Sequence, residues 1–324
     1  MDKEFHKIFH GKQEISVRYD SKNEAIWAYS NPTARPCFSV AMLKEVLELQ
    51  LDIKEYFKKN DMKPKTSIKY LVNASQTPGV YNYGGDLNLF AELIAKKEYD
   101  SLYNYAKLCI DVVYLNAVNL NLPITTIALV EGTALGGGFE AALSCNVCIA
   151  EEQCQMGLPE IRFNLIPGMG AYSLLARSVG IKMTEEIISG GKVYSAATLH
   201  SMGVIENLAK EGEGEKTINR FMKKYSNYYN GMQAILSARH RYAPIDYDEL
   251  MDITKIWVDT AMGLRKKDIK MMMKLVEAQN HKVINTRYKI RTRQDRRFDN
   301  ENISFPFTDS YGNIVSHERR KGSD

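Results

Sequence analysis

Apolar and polar positions alternate from Glu14 to Tyr19, with Ile15, Val17 and Tyr19 on one side. A Ser21-Lys22-Asn23 turn follows, and residues 25–30 return as a second run. A period of two across a short polar turn predicts a β-hairpin. Ser39 then precedes Leu43, Val46, Leu47, Ile53 and Phe57 at roughly helical spacing, so a long helix capped by Ser39 is expected. Residues 66–74 read as a strand and feed the turn-rich SQTPGVYNYGGDLNLF. Helices are predicted over about 87–97 and 101–120, the second carrying Leu102, Ala106, Cys109, Val113, Ala117 and Leu120 on one face. Residues 124–130 and 147–151 have the continuous apolar character of buried strands, and a glycine run and a short helix lie between them. Short helices are expected near 171–178, 184–189 and 196–202, with a small strand at 204–208 and a polar link at 210–216. From Thr217 the pattern is helical, with a break at Ala243-Pro244 and a last strong helix over 247–279.

Strands mixed with helices, followed by helices alone, indicate an α/β core with a helical C-terminal region. The expected division is an α/β core over 1–210, helices over 211–280 that cover the site, and a basic polar tail over 281–324. That tail has the composition of a disordered arm or one that orders on contact. It carries ten basic against six acidic side chains, which accounts for the whole formal charge of +4. The rest of the chain is balanced, so no nucleic-acid surface is indicated. Five cysteines in mostly apolar contexts suit reduced thiols in a cytoplasmic protein better than a disulfide framework. No stretch approaches the ~20 apolar residues of a membrane span, and MDKEFHKIFHGK lacks a signal-peptide core.

Two glycine sites add chemistry to this outline. Gly84-Gly85-Asp86-Leu87 and Gly136-Gly137-Gly138-Phe139-Glu140 each end a loop and start a helix. Each can present a backbone N–H, and two converging N–H groups make an oxyanion hole. Asp86 reads as a helix cap rather than a catalytic group. Glu140, together with Glu160 in the Leu158-Pro159-Glu160 loop, supplies a carboxyl pair for moving protons. Spacing does not say which of them is acid and which base. The run Gly136–Gly138 fits neither dinucleotide nor P-loop fingerprints. Glu131, Glu151 and Glu152 read as solvated strand ends, His200 as structural, and the Cys145/Cys148 spacing as too isolated for zinc. Met271-Met272-Met273 is either core filler or an adaptable pocket wall.

In these motifs the chain resembles the crotonase (enoyl-CoA hydratase) superfamily, through the G-G-D-L turn, the G-G-G-F-E helix start, the L-P-E loop and P-G-M-G at 167–170. The likeness is closer to one branch, the bacterial diffusible signal factor (DSF) synthases of RpfF type. It runs through ARPCFSVAML, PGVYNYGGDLNLF, ALVEGTALGGGFEAALSC, MGLPEIRFNLIPGMGAYS and IWVDTAM, and spans roughly residues 14 to 279. The resemblance implies a crotonase-like spiral of ββα units. It implies oxyanion donors at Gly85 and Gly137, an acid/base pair at Glu140 and Glu160, and an acyl pocket at Met169, Trp257 and Leu275. It also implies dehydration of a 3-hydroxyacyl carrier-protein thioester to the cis-2-enoyl form, then hydrolysis to the free fatty acid. No metal and no cofactor is expected beyond the carrier arm of acyl carrier protein or CoA. The implied partners are acyl carrier protein, other copies of the chain in a trimer-based homo-oligomer, and a sensor-kinase receiver domain. Two rival readings stand beside this one: a metabolic enoyl-CoA hydratase or isomerase, and a binding module for such a receiver domain.

Overall fold

A computed structural model describes residues 3–32, 35–63, 66–280, 307–308 and 314–315. The chain divides into two units, residues 1–280 and residues 281–324. After the short helix α1 (Lys3–Lys7), β1 (Ile15–Asp20) pairs antiparallel with β2 (Ala25–Ser30), as the alternation predicts. Ser39 caps α2 (Val40–Lys59) by accepting the Met42 N–H at 3.1 Å. A motif of long strand, short strand and helix then recurs. Its first turn is β3 (Tyr70–Ser75), β4 (Val80–Asn82), α3 (Leu87–Lys96) and α4 (Tyr99–Ala117). Its second is β5 (Thr125–Val130), β6 (Thr133–Leu135) and α5 (Gly137–Ser144). Its third is β7 (Val147–Glu151), β8 (Gln155–Gly157) and α6 (Ala171–Gly190). The unit closes with β9 (Val193–Ser195), α7 (Ala196–Ser201), β10 (Asn207–Ala209), α8 (Gly214–Tyr225), α9 (Tyr229–Tyr242), α10 (Tyr247–Met262) and α11, residues 266–280.

The long strands build a six-stranded sheet in the order β1-β2-β3-β5-β7-β10, parallel from β2 onward. Both faces of this sheet are covered, and side chains alternate between them. Trp27, Tyr70, Val72, Ile127, Leu129 and Ile149 pack with Ile218 and Met222 of α8. Ile26 and Leu71 face the other way, among α2 and α4 residues such as Ile53, Leu102 and Val113. The short strands build a second, four-stranded sheet, β4-β6-β8-β9, in which β4, β6 and β8 are parallel. This spiral of paired strands and helices, ending in helices, is the α/β architecture expected from the sequence.

Several details differ from the expectation. The strand predicted from Thr66 begins only at Tyr70. The helices near 171–178 and 184–189 form one element broken at Gly180, whose φ of 79° and ψ of 161° leave the helical region. The single helix over 247–279 is two, because Gly263 ends α10 and the Asp268 carboxylate takes the Arg265 N–H at 3.1 Å to open a new helix. Glu151 is not solvated: β10 lies alongside β7, and the turn beyond β10 folds over it. Its carboxylate accepts the Gly212 N–H at 2.7 Å and is 4% exposed. All five cysteines are unpaired and buried. No described helix is long and apolar enough to cross a membrane. In the second unit, β11 (Phe307–Thr308) pairs antiparallel with β12 (Ile314–Val315), and the rest of the expected basic tail lies outside the described residues.

Candidate active site

The second sheet is what assembles the site. Strands β4, β6 and β8 run parallel side by side. Their C-terminal ends therefore deliver three loops to one place: Tyr83–Asp86, Gly136–Gly137 and Leu158–Glu160. Gly84 adopts φ 88° and Gly136 φ 52°, both in the left-handed region that glycine tolerates best. Tight contact reinforces the requirement. A Cβ on Gly84 would press on the Gly137 nitrogen at 2.7 Å, and one on Gly137 would stand 3.3 Å from the Gly85 nitrogen. The N–H groups of Gly85 and Gly137 therefore lie side by side, and neither has an acceptor among the described residues. Gly137 opens α5, so its free N–H sits at the positive end of the helix.

Asp86 caps α3, accepting from Asn88 and Leu89 at 3.1 and 3.3 Å, which fixes the turn just after Gly85. The Tyr105 hydroxyl fixes it from outside, donating to Phe38 O at 2.5 Å and accepting from the Asp86 N–H at 3.2 Å. Asn82, which sequence reasoning missed, holds it from beneath. Its Oδ1 accepts the Gly84 N–H at 2.7 Å, and its main-chain carbonyl packs directly against Gly138 of the second loop. A polar residue inside the otherwise apolar Val80-Tyr81-Asn82 strand was the available signal.

Glu140 faces the cavity from α5 and is 1% exposed. Its Oε1 accepts the N–H groups of Met169 at 2.7 Å and Ala171 at 2.9 Å. Burial raises this carboxyl to about 7, and the two N–H bonds oppose the rise. Glu160 reaches in beside Gly136, and its Oε2 is buried without a partner among the described residues. Burial, and then the Glu140 charge, push Glu160 well above the usual carboxylate range. Two N–H donors favour the ionised form of Glu140, while nothing comparable favours that of Glu160. Of the two, Glu140 is thus the one that ionises more readily, and Glu160 the one that keeps its proton.

Both glutamates, Gly85, Gly137, Met169, Trp257 and Leu275 line the same cavity, of about 40 Å³. Leu87, Phe90, Tyr105, Phe163 and Leu165 complete a largely apolar wall. Trp257 meets Phe90 edge-on at 5.1 Å and lies close against Gly168. The space suits only a few water molecules. A longer ligand therefore enters by displacing lining side chains, with Met169 and Leu275 the flexible ones. The Met271-Met272-Met273 run is absent from this wall, and Met272 is buried in the core behind it. The His200 ring bonds to Ile205 O at 3.0 Å, away from the cavity. No group of three side chains suited to a metal ion occurs among the described residues.

The family model for enoyl-CoA hydratase/isomerase matches residues 41–245. The chain is 28% identical over 152 residues to mitochondrial methylglutaconyl-CoA hydratase of Mus musculus, covering 47% of this chain and 46% of that one. It is 32% identical over 185 residues to a probable mitochondrial enoyl-CoA hydratase 2 of Arabidopsis thaliana, covering 57% of this chain and 58% of that one. The chain thus spans about half the length of the curated relatives it matches. Among solved structures, Pseudomonas aeruginosa DspI aligns with TM-score 0.58 and 23% identity over 73% of this chain and 91% of that one. Enoyl-CoA hydratase from Bacillus halodurans aligns with TM-score 0.66 and 18% identity over 81% and 100%. These structural likenesses concern the fold.

Proposed function

Because the chain belongs to the enoyl-CoA hydratase/isomerase family, we propose that it works on acyl thioesters as a DSF synthase. In this reading it dehydrates a 3-hydroxyacyl carrier-protein thioester to the cis-2-enoyl form and hydrolyses the product to a free cis-2-unsaturated fatty acid. The observation that carries the reading is a pair of carboxyl groups lining one cavity edged by two unclaimed N–H groups. Removing a proton from Cα places negative charge on the thioester oxygen. The Gly85 and Gly137 N–H groups stabilise that oxygen, each by about 3 kcal/mol in a dry site. One carboxylate takes the Cα proton, and the other carboxyl gives its proton to the leaving hydroxyl, which departs as water. Elimination of water therefore requires the opposite placing of the transferred proton from addition. Hydrolysis follows when the ionised glutamate takes a proton from a water that attacks the carbonyl carbon. The thiolate of the carrier arm then leaves and picks up a proton.

The branch-level assignment draws on the segment likenesses in the sequence, and the largely apolar wall supports an acyl chain. The family model and the names of the relatives favour a rival reading, a hydratase acting on CoA esters. Incubation with 3-hydroxyacyl carrier protein, read by mass spectrometry, separates the two. Free cis-2-enoic acid is the expected product. Reversible hydration of enoyl-CoA with no free acid would establish the rival instead.

A further inference from the structure

The cavity has a polar end that neither the glutamates nor the oxyanion N–H groups use. Tyr83, just ahead of the Gly84-Gly85 turn, and Gln279, on α11, both line it. The Tyr83 hydroxyl is buried with no hydrogen-bond partner among the described residues. Arg35 belongs to the segment alongside, where the Tyr83 N–H bonds to Pro36 O at 2.8 Å. Its Nη2 donates to Gln279 Oε1, while its Nε and Nη1 are buried with no partner among the described residues. Guanidinium N–H groups buried with no acceptor are unfavourable, and an orphaned phenol adds to this. Two separate segments therefore leave buried donors unmet, Tyr83 in the cavity wall and Arg35 behind Gln279 of that wall. A ligand oxygen is what would satisfy them.

We propose that Arg35, Tyr83 and Gln279 form a subsite for an amide carbonyl oxygen of the carrier arm, next to the thioester sulfur. The proposal rests on the acyl-thioester reading above. With the thioester oxygen on Gly85 and Gly137, the acyl chain and the carrier arm leave in opposite directions. The walls at Leu87, Phe90 and Trp257 are apolar and take the acyl side. The arm is then left to the polar end, and its first amide follows the sulfur by a two-carbon spacer. The phosphate of the arm lies much further along, beyond a chamber of about 40 Å³. Tyr83 serves as a donor throughout the working pH range, since burial pushes its hydroxyl up to about 12.

Two unreactive thioethers test this, both read by the change in tryptophan fluorescence as Trp257 in the pocket meets the ligand. One carries an octyl chain on N-acetylcysteamine, and the other is a dialkyl thioether of equal length without the amide. The full-length protein is expected to bind the amide probe about tenfold tighter, the effect of one charge-assisted hydrogen bond. Tyr83→Phe and Arg35→Met are each expected to bring that ratio close to one. Equal affinities in the unaltered protein, or a ratio kept by both variants, would overturn the subsite. Should Arg35→Met fail to fold, Tyr83→Phe and Gln279→Leu decide the matter. Turnover of acyl thioesters, measured separately, keeps the two ideas apart. Turnover without an amide preference removes the subsite and leaves the function, and the preference without turnover does the reverse. CoA and carrier protein present the same amide, and the acyl carrier turned over with the higher kcat/KM identifies its source.

Discussion

At Glu160 the cost of burial and the nearby Glu140 charge outweigh its one backbone hydrogen bond, and that sets a testable dependence on pH. Its folded pKa lies above the unfolded value, so the folded state keeps a proton that the unfolded state releases above about 4.5. Stability is therefore lost as pH rises from that point. Glu160→Gln removes the effect, so the melting-temperature advantage of this variant should widen between pH 5 and 8. The slope corresponds to as much as about 1.4 kcal/mol per pH unit. A constant offset across that range would mean that Glu160 ionises freely. The same variant, and Glu140→Gln, should each lower thioester turnover by about 10²- to 10⁴-fold, the usual share of a proton-transferring group. Asn82 makes a different prediction. Asn82→Ala leaves the buried Gly84 N–H unmet and should cost about 1–3 kcal/mol in stability, with a fall in kcat. Asn82→Asp keeps the acceptor and should recover much of kcat. Glu140, Glu160 and the two glycine turns stand out because each motif shares its stretch with a helix start or turn, and the family resemblance then points to Gly85 and Gly137 within those turns. Asn82 and Arg35 do not stand out, since their roles depend on contacts with neighbouring segments that carry no local pattern.

Among the elements, the long strands were legible and the short ones were not. Runs such as Ile127–Val130 are apolar throughout because helices cover both faces of the main sheet, and such runs stand out. Strands β4, β6 and β8 have only three residues each, too few for any period to appear. Yet these are the elements that carry the loops around the cavity. Their spacing depends on Gly132 at the start of β6, where an added Cβ would run into the Gly79 and Val80 backbone. Gly132→Ala should consequently push β4 away from β6, destabilising the fold by about 1–3 kcal/mol. It should also lower turnover, although Gly132 is absent from the cavity wall. Chemical denaturation with parallel rate measurements checks both effects, and unchanged kinetics would show that the two loops are positioned independently of their strands.

At the level of the molecule, the C-terminal helices are part of the site, because α10 supplies Trp257 and α11 supplies Leu275 and Gln279 to the cavity. Neither Trp257 nor Leu275 differs by pattern from an ordinary core residue, and only the family resemblance set them apart. Trp257→Ala should cost about 3–5 kcal/mol, the range for emptying a large buried side chain. If the protein stays folded, its preference among acyl chain lengths should broaden, as measured by competition between thioesters. The sequestered thiols offer a practical dividend. Cys154 is buried and absent from the cavity wall, so iodoacetamide reaches it only when the body of the protein opens. Cys109 lies in the cavity wall and answers instead to opening of the chamber. Peptide-resolved alkylation would then time both motions in one sample, with Cys109 slowed by a bound acyl chain and Cys154 serving as the internal clock.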